Sequence, residues 1–206
     1  MFLESASPVG ERSEELTPSI PVPPDDIIEA ARLAPDHWLS MIDPAWPGDG
    51  PPPDWAVIGR WRSGPTGEIE EWEDNAAYRP SPESLGWPEP ADDVDAAVQL
   101  AATGYGPTRD VPRALADSVE LAVFLAPSGT ALCARAPDGT AVVPVFTAAR
   151  YLHLAGNLAF EVLPGTELVD RIPDGHHIYL NPSAPVALIV ETEALAEAVT
   201  ARAARA

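Results

Sequence analysis

Lysine is missing from this chain altogether: all twelve basic residues are arginine, set against 32 acidic ones, for a net charge of -20. Nucleic acids and anionic membranes are bound through cationic contacts, so this balance excludes both as expected partners. Cysteine occurs once, at Cys133, which rules out an internal disulfide and a four-thiolate zinc site. No apolar run approaches the ~20 residues of a membrane helix, so no membrane insertion is expected. The opening Met1-Phe2-Leu3-Glu4 has neither the basic nor the long apolar region of a secretory signal, and the expected compartment is the cytoplasm. G-x-S-x-G, P-loop, H-E-x-x-H and G-x-G-x-x-G patterns are all absent. The expectation is a protein with no catalytic residue, no cofactor and no metal: not an enzyme.

What is present is unevenly spread. The 206 residues are 46 % hydrophobic, ample for a core. Residues 1–100 carry 21 acids and five arginines, whereas residues 101–206 carry 11 and seven. All six tryptophans lie between Trp38 and Trp87. Residues 1–24, rich in Pro, Ser and Glu, cannot bury enough surface to offset ordering entropy and read as a disordered tail. A Trp-rich acidic leader is then expected over 25–117, and an α+β module over 118–206.

Within the leader a helix starts near Asp26 and stops at Pro35, and Asp36 is placed to cap a short second helix from His37 to Ile42. The aromatic and β-branched run Trp55–Arg62, the turn Gly64-Pro65-Thr66-Gly67 and the return Glu68–Trp72 form a hairpin. Centred on Pro65, it opposes Arg62 to Glu68, Trp61 to Ile69 and Arg60 to Glu70. Ser81-Pro82 reads as a helix start. Asp92 is placed to cap a helix whose Val94, Ala97, Val98 and Ala101 make one apolar stripe ending at Gly104, and Asp110 another short helix.

From Ser118 the pattern turns to sheet. Val119–Leu125, Ala131–Arg135 and Ala141–Phe146, joined by two near-repeated Pro/Gly turns, predict a three-stranded meander. A helix at Ala148–Leu154, a strand near Leu158–Val162, a helix at Thr166–Arg171, strands His177–Leu180 and Val186–Val190, and a last helix capped by Thr192 complete the module.

Adjacent His176 and His177 point to opposite faces of a strand and do not share an ion. Cys133, between Leu132 and Ala134, reads as a small core residue rather than a nucleophile. The carboxylates of Glu68, Glu70, Glu71, Glu73 and Asp74 read as a solvated edge beside arginines rather than a glycosidase pair. Asn181, before Pro182, is expected to bond its own turn backbone. Trp and Arg with a charged rim are what an interface uses. The residues expected to contact a protein partner with a basic patch are therefore Trp61, Trp72, Tyr78, Arg79 and Trp87, with Glu68 and Glu70 as the charged rim.

Val143-Pro144-Val145-Phe146-Thr147, a short helix, Leu180-Asn181-Pro182 and a closing apolar strand resemble the SseB N-terminal domain family over about ninety residues. Upstream, Trp38-Leu39, Asp43-Pro44-Ala45-Trp46, Pro52–Arg62, Asn75, Tyr78-Arg79-Pro80-Ser81-Pro82 and Ala102–Gly106 resemble actinobacterial proteins called type VII secretion system-associated. The resemblance implies an SseB-like mixed sheet with flanking helices, preceded by the Trp-rich hairpin and helices. It implies a setting in a type VII secretion locus, and the function expected there is a cytoplasmic adaptor or chaperone that contacts a secretion substrate or machine component. An immunity protein against a secreted toxin is the alternative, followed by an enzyme of unrecognised class.

Overall fold

The computed structural model describes residues 21–46 and 50–205. Residues 1–20 of the expected tail lie outside the described residues. The chain divides into two compact units: residues up to Met41 with Gly59–Asn75, and Ile42–Ile58 with Ala76–Ala206.

The first unit holds helix α1 (Asp25–Leu33) and most of a three-stranded sheet in the order β1 (Trp38–Ile42), β2 (Val57–Ser63), β3 (Ile69–Asp74). Asp25 and Asp26 sit in the first turn of α1, where the helix dipole favours negative charge. The predicted helix over His37–Ile42 is instead β1. Asp36 takes a left-handed φ of 57° rather than a capping conformation. The Ser63 hydroxyl receives the His37 N–H at 3.0 Å, and the Ser63 N–H donates to His37 O at 2.9 Å. Pairing of this kind draws five residues into a strand more strongly than one cap draws them into a helix, and exposure alternates along β1.

The hairpin is present with a different register. Arg60 opposes Glu73, Trp61 opposes Trp72 and Arg62 opposes Glu71, with an irregularity at Arg62/Ser63. The turn is wider than one centred on Pro65: Gly64 N–H donates to Glu68 O and Gly67 N–H to Gly64 O. Gly67 has φ +79°, and a Cβ there would come within 2.8 Å of the Arg32 Cα, so only glycine lets the turn lie against α1.

The second unit begins its regular structure with α2 (Asp93–Thr103) and α3 (Asp110–Asp117). Asp92 caps α2 by accepting the Asp95 N–H at 2.9 Å, and Gly104 ends it at φ +82°. Asp110 makes no cap bond; it lies inside the first turn of α3 and pairs with Arg113 at 3.2 Å. No helix forms at Ser81-Pro82. The Ser81 Oγ accepts the Ser84 N–H as a cap would, but the chain only turns, and Leu85 remains 44 % exposed with no apolar face to bury.

The remaining elements are β4 (Leu121–Phe124), β5 (Ala134–Arg135), β6 (Ala141–Phe146), α4 (Ala149–Ala155), β7 (Phe160–Leu163), α5 (Gly165–Leu168), β8 (His177–Leu180), β9 (Leu188–Val190) and α6 (Thr192–Ala203). The sheet order is β7-β4-β6-β8-β9, with β5 beside β6. The pair β6/β8 is parallel and the others antiparallel. The predicted meander forms only in part: Leu125 bridges Ala131, the Leu132 N–H donates to Phe124 O at 2.8 Å, and β5 pairs with β6 at Val142 and Ala141, but β4 also pairs directly with β6. Val142 also pairs with His177, so β5 shares with β4 the edge of β6 that faces away from β8. Cys133 falls in the irregular stretch before β5 and is exposed, not core. Thr192 gives its hydroxyl to His176 O at 2.8 Å and does not cap α6.

One sheet face packs Leu121, Val123, Val143, Val145, Ile178 and Leu180 against Val98, Val111, Leu115, Leu168 and Leu195 of the helices. Burying apolar side chains of this size is worth about 1.5–3 kcal/mol each. This single core contains α2 and α3, so the expected division between residues 117 and 118 runs through it and is not a boundary. Gly165 is required where α5 meets α3, because any Cβ there would collide with the Leu115 carbonyl. The opposite face carries a smaller cluster of Phe124, Phe146, Tyr151 and Leu152. The whole is an α+β fold.

Candidate protein-contact site

The seven residues expected to meet a partner fall in different units. Trp61, Trp72, Glu68 and Glu70 belong to the first, and Tyr78, Arg79 and Trp87 to the second. Trp61 is fully buried and is a core residue, not a contact. Strand alternation puts it inward with Gly59 and Ser63, and its ring lies 4.4 Å from that of Trp72. Trp72 is half-buried, with its indole N–H donating to Asp74 Oδ1 at 2.6 Å. Glu68 and Glu70 are exposed.

The same alternation that buries Trp61 turns Arg60 and Arg62 outward. The Arg60 guanidinium carbon lies 4.5 Å from the Trp38 ring centroid and that of Arg62 lies 5.9 Å from it. Arg60 is fixed from its other side by Glu73, at 2.7 Å from Nη2 and 2.8 Å from Nε. Trp38 stays 38 % exposed. The outer face of this sheet therefore presents an indole, two guanidiniums and a fringe of Glu70, Glu71 and Glu73. Sequence reasoning missed Trp38 because it was placed in a helix; the alternation of Trp38, Ser40 and Ile42 with Leu39 and Met41 was the available signal.

In the second unit, Tyr78 is half-buried and occupied: its hydroxyl donates to Asp43 Oδ2 at 2.7 Å. Asp43, 1 % exposed, also receives Ser84 Oγ at 2.8 Å, Ser81 N–H at 3.2 Å and Ala45 N–H at 2.9 Å. Burial pushes its pKa up, but these hydrogen bonds together outweigh burial and hold the carboxyl well below the usual range. Burial, then the charge of Asp43, push the Tyr105 phenol above its ordinary range. Trp55 stacks edge-on against both Trp46 and Tyr105, at 5.7 and 4.9 Å. Arg79 is exposed, but its backbone is tied down by the Trp55 carbonyl and the Tyr105 hydroxyl. Trp87 is half-buried, with its backbone N–H donating to Pro82 O. This Asp43 assembly holds an irregular segment in place, and the Trp46 indole N–H beside it is buried without a hydrogen-bond partner.

A second polar network ties α2 to the sheet. Asn181, buried at φ +45°, accepts the Thr147 N–H and donates to Thr147 Oγ1, both at 2.9 Å. Its side chain thus bonds a residue 34 positions away rather than its own turn. Thr147 Oγ1 donates to Asp92 Oδ2 at 2.7 Å. Next to it the buried Asp95 receives Tyr151 Oη at 2.6 Å and Ala91 N–H at 2.8 Å, with Arg150 at 3.3 Å. A groove of about 540 Å³ runs between α3, β9 and α6, where Arg109, Arg113 and Arg205 are offset by Glu191 and Glu197. Among the described residues no three His, Cys, Asp or Glu side chains gather as metal ligands do, and no helix is long and apolar enough to cross a membrane.

The family model for the SseB protein N-terminal domain matches residues 94–197, just over half of the chain, from the first turn of α2 to the middle of α6. No curated protein and no solved structure matches the chain. The matched span coincides with the two-layer core just described, and the chain belongs to the SseB N-terminal domain family.

Proposed function

We propose that this chain is a non-catalytic accessory protein that works by protein–protein contact, and that the Trp38 face of its first unit is the contact surface. The observation that carries the proposal is the exposed Trp38 ring with Arg60 and Arg62 over it and carboxylates around it. Tryptophan and arginine dominate interface energetics, and a ring already fixed by cations loses little freedom on binding. The net charge of -20 favours a partner with a basic patch, chiefly by speeding encounter. The upstream motifs that resemble type VII secretion system-associated proteins favour an adaptor or chaperone in the cytoplasm, with a secretion substrate or machine component as partner.

Co-purification of the full chain with the products of neighbouring genes tests this. Several secretion substrates or machine components are expected to be captured, and Trp38→Ala, outside any core, is expected to lose them while the fold is retained. Capture of one toxin in a fixed ratio replaces the adaptor with an immunity protein. Undiminished capture by Trp38→Ala refutes the assigned surface.

A further inference from the structure

Strand β7 ends its sheet, and among the described residues nothing pairs with its far side. Its register opposes Val123 to Glu161 and Phe124 to Phe160, and the Leu125 N–H donates to Ala159 O. In an antiparallel ladder the hydrogen-bonded positions alternate. Ala159, Glu161 and Leu163 therefore direct their backbone groups toward β4, and Phe160 and Val162 direct theirs outward, unpaired. Those same two residues carry large apolar side chains that are 48 % and 56 % exposed. Leu158, two residues earlier and 50 % exposed, extends the stripe. The other sheet edge differs: in β9 Leu188 and Ile189 are half-buried and Val190 is buried.

An open edge with apolar side chains is usually guarded by lysine, proline or a bulge. Here the guard is Glu161. One of its oxygens meets Arg171 at 3.2 Å, and the other, Oε1, is enclosed without any hydrogen-bond partner. A second copy is a poor occupant. Antiparallel pairing of Phe160 with Val162 of a second copy places Glu161 opposite Glu161, and each chain brings a charge of -20. An extended strand with a cation in that position removes the repulsion and meets the Glu161 carboxylate, whose side chain is 26 % exposed.

We propose that β7 is a docking edge, distinct from the Trp38 face, that takes an extended segment of another protein as an added strand. Its backbone bonds Phe160 and Val162, its alternate apolar side chains cover that stripe, and a basic residue between them meets Glu161.

The probe is an acetylated and amidated peptide, Thr-Val-Lys-Val-Thr, added to the full chain, with amide hydrogen exchange as the readout. The Phe160 and Val162 amides are expected to exchange freely without peptide and about tenfold or more slowly with it. A peptide N-methylated at both valines lacks the bonding donors and is expected to give no protection. Glu161→Gln and Val162→Pro are each expected to weaken binding about tenfold, the proline being tolerated because that N–H is unpaired. Absence of protection, or equal protection by the N-methylated peptide, overturns the proposal on the wild-type chain without reliance on any variant. Protection that grows with protein concentration alone overturns it in favour of a second copy.

Discussion

Replacing Asn181 with alanine removes more than a turn residue. Both amide atoms are engaged with Thr147 at 2.9 Å in a site with no solvent access. Truncation leaves the Thr147 N–H without its acceptor, at a cost of about 1–3 kcal/mol for a buried donor. It also puts alanine at φ +45°, a left-handed conformation costing about 1–2 kcal/mol for a residue that is neither Gly nor Asn. The expected loss is about 2–5 kcal/mol, above the roughly 1 kcal/mol of a local turn bond. For a chain of this size it corresponds to a fall in Tm of roughly 4–20 °C. Urea unfolding monitored by exchange of the β6 and β8 amides reads this unit alone. Asn181→Gly separates the two contributions, because glycine keeps the backbone and loses only the hydrogen bonds; it is expected to recover about 1 kcal/mol relative to alanine. A loss below about 1 kcal/mol in Asn181→Ala refutes the reasoning, and equal losses for Gly and Ala refute the backbone part of it.

Two further outcomes follow from the packing and the charges. Gly165→Ala forces a methyl into the Leu115 carbonyl of α3 and is expected to cost about 1–3 kcal/mol or more, measured by thermal unfolding; an unchanged Tm means α3 and α5 separate at no cost. The folded Asp43 pKa is depressed, so its contribution is present above the ordinary aspartate pKa and is lost as pH falls toward the folded value. Stability is therefore expected to drop on acidification below about pH 4 and to drop less steeply in Asp43→Asn, compared by urea titrations between about pH 2 and 7.

Sequence patterns reached the features decided by neighbours in the chain. The stripe of Val94, Ala97, Val98 and Ala101, its Asp92 cap and its Gly104 stop predicted α2 almost to the residue, because each signal acts within one or two turns. Individual strands of the sheet were legible in the same way, but not their pairing, in which β4 lies directly beside β6. What sequence could not supply were choices made by distant partners. Ser63 converts a capped pentapeptide into β1, and a wider turn shifts the hairpin so that Trp61 meets Trp72 rather than Ile69. The candidate contact surface suffered most from this. Counting tryptophans does not say which of them are exposed: the inward side of β2 makes Trp61 core, whereas the outward side of β1 leaves Trp38 38 % exposed.

The chain order of the core has a kinetic consequence. Val111 and Leu115 of α3 are covered in part by Leu195 and Ala198 of α6, and Arg202 reaches back 85 residues to Asp117 at 2.7 Å. At about 5–20 residues per second, ribosomal synthesis leaves α3 uncovered for roughly 4–17 s before α6 exists. The parallel contact of β6 with β8 also waits for the intervening α4, β7 and α5. For that interval the nascent chain presents an apolar helix face and an unfinished sheet, which is the state on which a holdase acts and in which aggregation competes with folding.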